Sequence, residues 1–281
     1  MHDETALEGL GMDSPYLHGT SPAEQGRLSL MNRLVNEAAV RELALEGRES
    51  LVDFGCGLAQ LTRSFARATK GRVVGIERSP EQLVEARRLA AADGEEKLVE
   101  LRQGDAATPP LESDEWGAFD VAHGRFVLEH VQRPLDVVRQ MVRAVRQGGR
   151  VVLQDDDHDI LRLSPEPLGF SPLWAAYVRT YDRLGCDPFV GRKLVSLLHE
   201  TGAQPVRSNW LRFGACAGES TFADVVANTV GIFLGARAQI VGGGLLEGDS
   251  FDRALDGLRA WAQRPDAAFW YAICWAEGTR R

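Results

Sequence analysis

Short runs of consecutive apolar residues alternate with longer stretches in which apolar residues recur every three or four positions. Ser21-Pro22-Ala23-Glu24 opens the first of the longer stretches. Ser is placed to cap a helix, Pro suits its first turn, and Glu three residues past the cap completes a capping box. Leu28, Met31, Leu34, Val35 and Ala38 follow at helical spacing. Residues 49–54 then read as a strand, running into Gly55-Cys56-Gly57 and a helix over 61–68. A second strand is predicted at 72–77, and Ser79-Pro80-Glu81-Gln82 is a second capping box opening a helix to about 92. Strands at 99–103 and 119–123 come next. Val137, Val138, Met141, Val142 and Val145 share one face of a helix predicted over 134–146; Gly148-Gly149 ends it, and 150–154 is a fifth strand.

Strands alternating with helices imply a parallel sheet covered on both faces. Past the fifth strand the pattern changes. Helices at 172–184 and 190–202 precede a strand at 205–214, and helices at 220–240 and 249–263 precede a last strand at 268–277. The expected architecture is α/β: a doubly wound, mostly parallel seven-stranded sheet, Rossmann-like, with a helical cap inserted between the last two strands. The domain reading is an N-terminal arm and helix (1–47), a sheet domain (48–217 and 264–281) and a cap (218–263). The most apolar long stretch, 225–246, contains Asn228, Arg237, Gln239 and five glycines, so it reads as a cap helix and loop rather than a membrane span.

The bulk numbers narrow the partners. The chain has 281 residues, is 44% hydrophobic and 26% charged, and carries a formal net charge of -8. An acidic protein lacks the clustered Lys and Arg that phosphate backbones and anionic membranes demand, so neither nucleic acid nor membrane is an expected partner. The four cysteines are far apart and none forms a Cys-x-x-Cys pair. That argues against a structural zinc or a disulfide framework and for reduced thiols. Residues 1–14 show no basic segment followed by an apolar run, so no secretory signal is predicted. The expected location is cytoplasmic, with no metal.

Asp53-Phe54-Gly55-Cys56-Gly57 carries the chemistry. Two glycines let the backbone turn sharply and approach a ligand at the next helix N-terminus. A dinucleotide loop would have a third Gly where Gln60 stands. Asp53 would repel a pyrophosphate but can pair with an ammonium group. S-adenosylmethionine carries an ammonium and a sulfonium and no phosphate. Glu77, at the end of the second strand, can accept both ribose hydroxyls, and Arg78 can stack on adenine. Asp105, within Gly104-Asp105-Ala106 at the end of the third strand, can take the adenine amino group. Three acids at the carboxyl ends of three successive strands sit where open α/β sheets bind ligands.

These residues resemble a class I S-adenosylmethionine-dependent methyltransferase, of the ubiquinone/menaquinone-biosynthesis-like small-molecule branch. Asp53-x-Gly55-x-Gly57, Glu77, Asp105, Phe119-Asp120-Val121, Leu128-Glu129-His130-Val131 and Gly148-Gly149 carry the likeness, over roughly residues 48–156. The resemblance implies that Asp53, Gly55 and Gly57 hold the methionine end of the cofactor, Glu77 the ribose, and Asp105 with Ala106 the adenine. It also implies that the segment before the first strand covers the cofactor, where Tyr16 either contacts the methionine carboxylate or anchors the arm by packing. One departure is Ala59, where the family often has Gly.

Displacement at a sulfonium methyl needs alignment and dryness more than an acid or base. Candidates for further roles follow the fourth and fifth strands. Arg125 can reach the cofactor carboxylate. Glu129 and His130 come next, and Asp155-Asp156-Asp157-His158-Asp159 is an acid-rich loop. His158 and His130 are the candidate catalytic residues, since histidine is the natural base near neutral pH; a solvated loop for His158 and a structural hydrogen bond for His130 are the alternatives. The predicted activity is methyl transfer to O, N or C of a small molecule. The alternatives are an RNA or protein methyltransferase and a cofactor-binding protein without transfer activity. His123-Gly124-Arg125-Phe126 stands where many base and glutamine N-methyltransferases carry Asn/Asp-Pro-Pro-Tyr/Phe, which disfavours the first.

Overall fold

The computed structural model describes residues 19–281. Helix α1 (Pro22–Leu43) starts where the capping box places it, the Glu24 amide donating to Ser21 Oγ at 3.3 Å. Strands β1 (Leu51–Phe54), β2 (Val73–Glu77), β3 (Glu100–Gln103), β4 (Phe119–Arg125) and β5 (Val145–Asp155) are joined by α2 (Gln60–Ala68), α3 (Pro80–Ala92) and α4 (Pro134–Ala144). After β5 come β6 (Arg162–Ser164), α5 (Phe170–Leu184), α6 (Leu194–Glu200), β7 (Ala203–Arg212) and β8 (Ala215–Cys216). The chain ends with α7 (Phe222–Gly235), α8 (Gly248–Trp261), β9 (Ala268–Trp270) and β10 (Ala272–Arg280).

The main sheet has seven strands in the order β3-β2-β1-β4-β5-β10-β7. The first five are mutually parallel; β10 is antiparallel to both neighbours. The strand order reverses between β1 and β4, and a crevice opens at the carboxyl ends there.

β1 is buried along its whole length, as expected when helices cover both faces. Alternate residues divide between two cores. Leu51, Val73, Val121 and Val152 pack with Val35, Leu43 and Phe65 of α1 and α2. Val52, Val74, Ala122 and Val151 pack with Val138, Met141 and Leu198 of α4 and α6. Each such side chain contributes about 1.5–3 kcal/mol when fully buried. The first core continues into α5, α7 and α8, so the late helices are built onto the sheet.

Two expectations need correction. The helix predicted over 134–146 ends at Ala144, because Val145 pairs with Phe119 and already belongs to β5. The strand predicted at 268–277 is two strands. Residues 268–270 join β6 and β8 in a small antiparallel sheet, and the chain enters the main sheet only at Ala272. Helix α7 is followed by a π-helical turn at Ala238–Gly242. Phe222–Gly242 is long and apolar enough to cross a bilayer by length and composition, but Phe222, Val225, Phe233 and Ile240 are buried against the core.

Candidate functional site

A cavity of about 640 Å³ opens at the carboxyl ends of β1 to β5, beneath α1, α5 and α7. That lies within the range of about 300–1,000 Å³ usual for ligand sites. Asp53, Gly55, Gly57, Glu77, Arg78, Asp105, Ala106 and Arg125 all line it, as does His130. Tyr16 lies outside the described residues.

The glycine loop is conformationally demanding. Gly55 has φ +70°, and a Cβ there would clash with Val127 Cγ2. Gly57, at φ +53°, faces open space within the cavity wall. Ala59 adopts φ +53° at the start of α2, so the departure from glycine is accommodated in a left-handed backbone. The Gly57 amide donates to Glu77 Oε2 at 3.0 Å and the Ser79 amide to Glu77 Oε1 at 2.8 Å. Glu77 thus ties the loop to the start of α3. Burial pushes its carboxyl upward despite those amides. Asp105 is half-exposed; its Oδ1 accepts from the Ala107 amide, and Arg78 Nη1 lies 4.0 Å from its Oδ2.

Asp53 differs from the simple expectation. It is 3% exposed and both carboxylate oxygens are engaged, one by the Thr62 hydroxyl at 2.5 Å and the other by His123 Nδ1 at 2.8 Å. It sets the floor under the loop.

Arg125 is the group with capacity to spare. One guanidinium nitrogen donates to Asn32 Oδ1 at 2.6 Å, while Nη1 is buried without a hydrogen-bond partner among the described residues. Burial lowers its pKa to about 10, partly offset by Asp53 and Asp156. A buried, unmatched guanidinium nitrogen on a cavity wall is a docking point for a carboxylate.

Beyond Arg125 the lining becomes aromatic and acidic. Glu129 and His130 sit on a single turn (Leu128–His130) that Asp155 pins, its Oδ2 accepting from the Val127 and Leu128 amides at 3.2 and 2.8 Å. Glu129 Oε2 accepts from Tyr181 Oη at 3.0 Å. Tyr181 Oη is 3.1 Å from His158 Nε2, and His158 Nδ1 is 3.1 Å from Tyr271 Oη. Burial, and then the facing Asp156, push the Tyr271 phenol well above its ordinary value. Burial drives the Glu129 carboxyl up to about 7 and Asp156 well above the carboxylate range.

A neutral imidazole has one donor and one acceptor nitrogen. If Tyr181 donates to Glu129, His158 Nε2–H donates to Tyr181 and Nδ1 accepts from Tyr271. Tyr271 then spends its proton on His158. Glu129, Tyr181, His158 and Tyr271 form one hydrogen-bonded chain, and Asp156 lies beside its end.

This corrects both histidines as candidate bases. His158 lies behind the wall formed by Tyr181 and Tyr271, both of its ring nitrogens are occupied, and burial lowers its pKa. It ties the two phenols together instead of facing the cavity. His130 reaches the cavity, but burial and neighbouring cations lower its pKa to about 3, and it stacks on Tyr181 at 5.9 Å. Glu129, Asp156 and His158 place one ligand-type atom each within 4.8 Å of one another. Tyr181 of α5 and Tyr271, just before β10, bound the site. Arg27 and Asn32 of α1 and Asn228 of α7 carried no sequence signal, because a polar residue on a helix face is ordinarily solvated.

Residues 52–153 match the methyltransferase domain family. That stretch of the chain is a methyltransferase domain. Ajmaline N-methyltransferase of Rauvolfia serpentina is 30% identical over 157 residues, 54% of this chain and 53% of that one. Demethylmenaquinone methyltransferase of Desulfitobacterium hafniense is 27% identical over 164 residues, 54% of this chain and 64% of that one. The chain thus spans little more than half the length of these relatives. Among solved structures, geranyl diphosphate C-methyltransferase of Streptomyces coelicolor, with Mg2+, geranyl diphosphate and S-adenosyl-L-homocysteine, superposes with a TM-score of 0.52 at 16% identity. That match covers 92% of this chain and 84% of the other. The likeness extends the methyltransferase fold well beyond residues 52–153.

Proposed function

We propose that this chain transfers the methyl group of S-adenosylmethionine to a small molecule held beneath α5 and α7. The observation that carries the reading is the buried, unpartnered Arg125 Nη1 on the cavity that also presents Glu77 and Asp105. The spacing of charges fits the cofactor's parts: Arg125 for the methionine carboxylate, Glu77 for the ribose, Asp105 and Ala106 for the adenine. Asp53 supports the glycine loop that receives the methionine end. When bound, the sulfonium supplies an electrophilic methyl and a neutral leaving group.

The residues around it align and dry the acceptor. Phe213, Ile232, Phe269 and Ile273 give the far half of the cavity an apolar lining, which excludes water from the transfer. In this reading 1–47 covers the cofactor, 218–263 closes over the acceptor, and the net charge of -8 suits a cytoplasmic enzyme with no nucleic-acid or membrane partner. The small-molecule methyltransferases among the relatives support an acceptor of that class.

Calorimetric titration with S-adenosylmethionine and, separately, NADH tests the reading. Micromolar binding of the first alone is the expected result. Binding of NADH alone, or of neither, overturns it.

A further inference from the structure

The acceptor half of the cavity has an unusual charge balance. Glu129, 3% exposed, and Asp156 both reach it. Asp156 Oδ1 is buried with no hydrogen-bond partner among the described residues. Asp155, by contrast, spends its oxygens on backbone amides of the chain itself. The cations facing these acids have other work. Arg27 of α1 holds Glu24 through two bonds of 2.8 and 2.6 Å and donates to Asn228 of α7. Arg125 of β4 is bonded to Asn32 and, in the reading above, meets the cofactor carboxylate. His130 and His158 are held neutral. The rest of the wall is aromatic: Trp174, Tyr177, Tyr181, Phe213 and Tyr271.

Carboxylates at one end of an aromatic box are the recognition chemistry of an organic cation. We propose that the acceptor is a protonated amine on an apolar or aromatic frame, and that Glu129 takes its proton so that nitrogen can be methylated. The proposal rests on the methyl-transfer reading. The ammonium gives one proton to the Glu129 carboxylate, and the freed nitrogen pair forms the new N–C bond. The C–S bond breaks with its electron pair going to sulfur, leaving a neutral thioether and a methylated ammonium. Glu129 is then neutral, and it recovers its negative charge when the proton leaves to solvent as the methylated product departs. A divalent metal is the weaker occupant. It would have to displace Tyr181 from both Glu129 and His158, and hard cations prefer six or more oxygens where this wall offers rings.

The test is calorimetry with matched probes: tryptamine against tryptophol, and phenethylamine against 2-phenylethanol. Each pair differs only in ammonium against hydroxyl. Titrations run with and without saturating S-adenosylhomocysteine, and a third arm uses magnesium and manganese chloride alone. The amine of at least one pair should bind about tenfold tighter or more than its alcohol. That preference should collapse toward unity in Glu129→Gln, which removes the carboxylate that takes the proton, and should fall less in Asp156→Asn, where burial already holds the acid up; both variants retain S-adenosylhomocysteine binding as a check on folding. No preference in either pair overturns the proposal, as does micromolar metal binding that is lost in Asp156→Asn. S-adenosylhomocysteine binding without amine preference sinks this proposal alone; amine preference without S-adenosylhomocysteine binding sinks the methyl-transfer reading instead.

Discussion

Replacing Arg125 by Met separates the cofactor's carboxylate from the rest of the molecule. Methionine keeps much of the arginine stem's volume and removes the guanidinium. The loss comprises the Asn32 bond at 2.6 Å and the unpartnered Nη1. A charge-assisted hydrogen bond in a buried site contributes about 1.5–3 kcal/mol, which converts to roughly 10- to 150-fold in Kd. S-adenosylhomocysteine should therefore bind about that much more weakly to Arg125→Met, measured by calorimetry. Methylthioadenosine, which lacks the amino-acid end, should bind the variant and the parent alike. The free protein should respond the other way. Burial holds the Arg125 pKa near 10 against an ordinary 12.5, a cost on the order of 3 kcal/mol at about 1.36 kcal/mol per unit. Removing the charge should leave the ligand-free variant at least as stable in a thermal melt, once the lost Asn32 bond is set against that gain. Unchanged S-adenosylhomocysteine affinity, or an equal loss for methylthioadenosine, would refute the assignment of Arg125 to the carboxylate.

Four further outcomes can be measured. Gly55→Ala should destabilise the fold by about 1–3 kcal/mol in denaturant melts, from a left-handed backbone and a Cβ driven onto Val127. Gly57→Ala should cost only about 1 kcal/mol, since its Cβ meets nothing, but should weaken S-adenosylhomocysteine binding. Glu77→Ala should weaken adenosine binding about tenfold or more, through the lost ribose contact and the released Gly57 and Ser79 amides; adenosine titration reads it directly. The fourth concerns pH. The folded Glu129 pKa, raised to about 7 by burial, exceeds an unfolded value of about 4.3. Its contribution is thus fully present below about pH 4.3 and is lost as pH rises through 7. His130 and His158, with lowered folded values, act in the opposite sense over part of this window. The difference between parent and Glu129→Gln melts isolates the Glu129 slope: relative to the variant, the parent should lose stability between pH 5 and 8, and a flat difference would count against a Glu129 carboxyl raised by burial.

The parts of this site that lie within a few residues of one another were legible in the sequence. Asp53, Gly55 and Gly57 share one turn, and Glu77 and Asp105 end the next two strands. Ser21 and Ser79 announce their helices because capping is a local interaction. The acceptor wall was not legible as a unit. Glu129, Asp156, Tyr181 and Tyr271 come from four separate elements, and nothing local distinguishes a tyrosine that bonds a buried acid from one that fills a core. His158 misled because a histidine in an acidic loop looks like an exposed base, whereas the chain folds it behind two phenols. The break at Tyr271 was hidden for a related reason. Phe269-Trp270-Tyr271-Ala272-Ile273 is an unbroken apolar run, and only tertiary pairing, with Phe213 N donating to Tyr271 O at 2.9 Å, makes it change sheets.

The small sheet of β6, β8 and β9 has a consequence for how such proteins diversify. Cys216 pairs with Ala268, and the Ala217 amide donates to Ala267 O at 2.9 Å. The excursion that carries α7 and α8 therefore leaves and returns at adjacent points, like a loop tied off at its neck. Insertions with joined ends can be lengthened, shortened or exchanged while the strands on either side keep their register. In the proposed reading, swapping the segment between Ala217 and Ala267 for that of another such protein would change which molecules the cavity accepts, provided the replacement carries apolar side chains where Phe222, Val225 and Phe233 enter the core and keeps the Asn228 contact to Arg27.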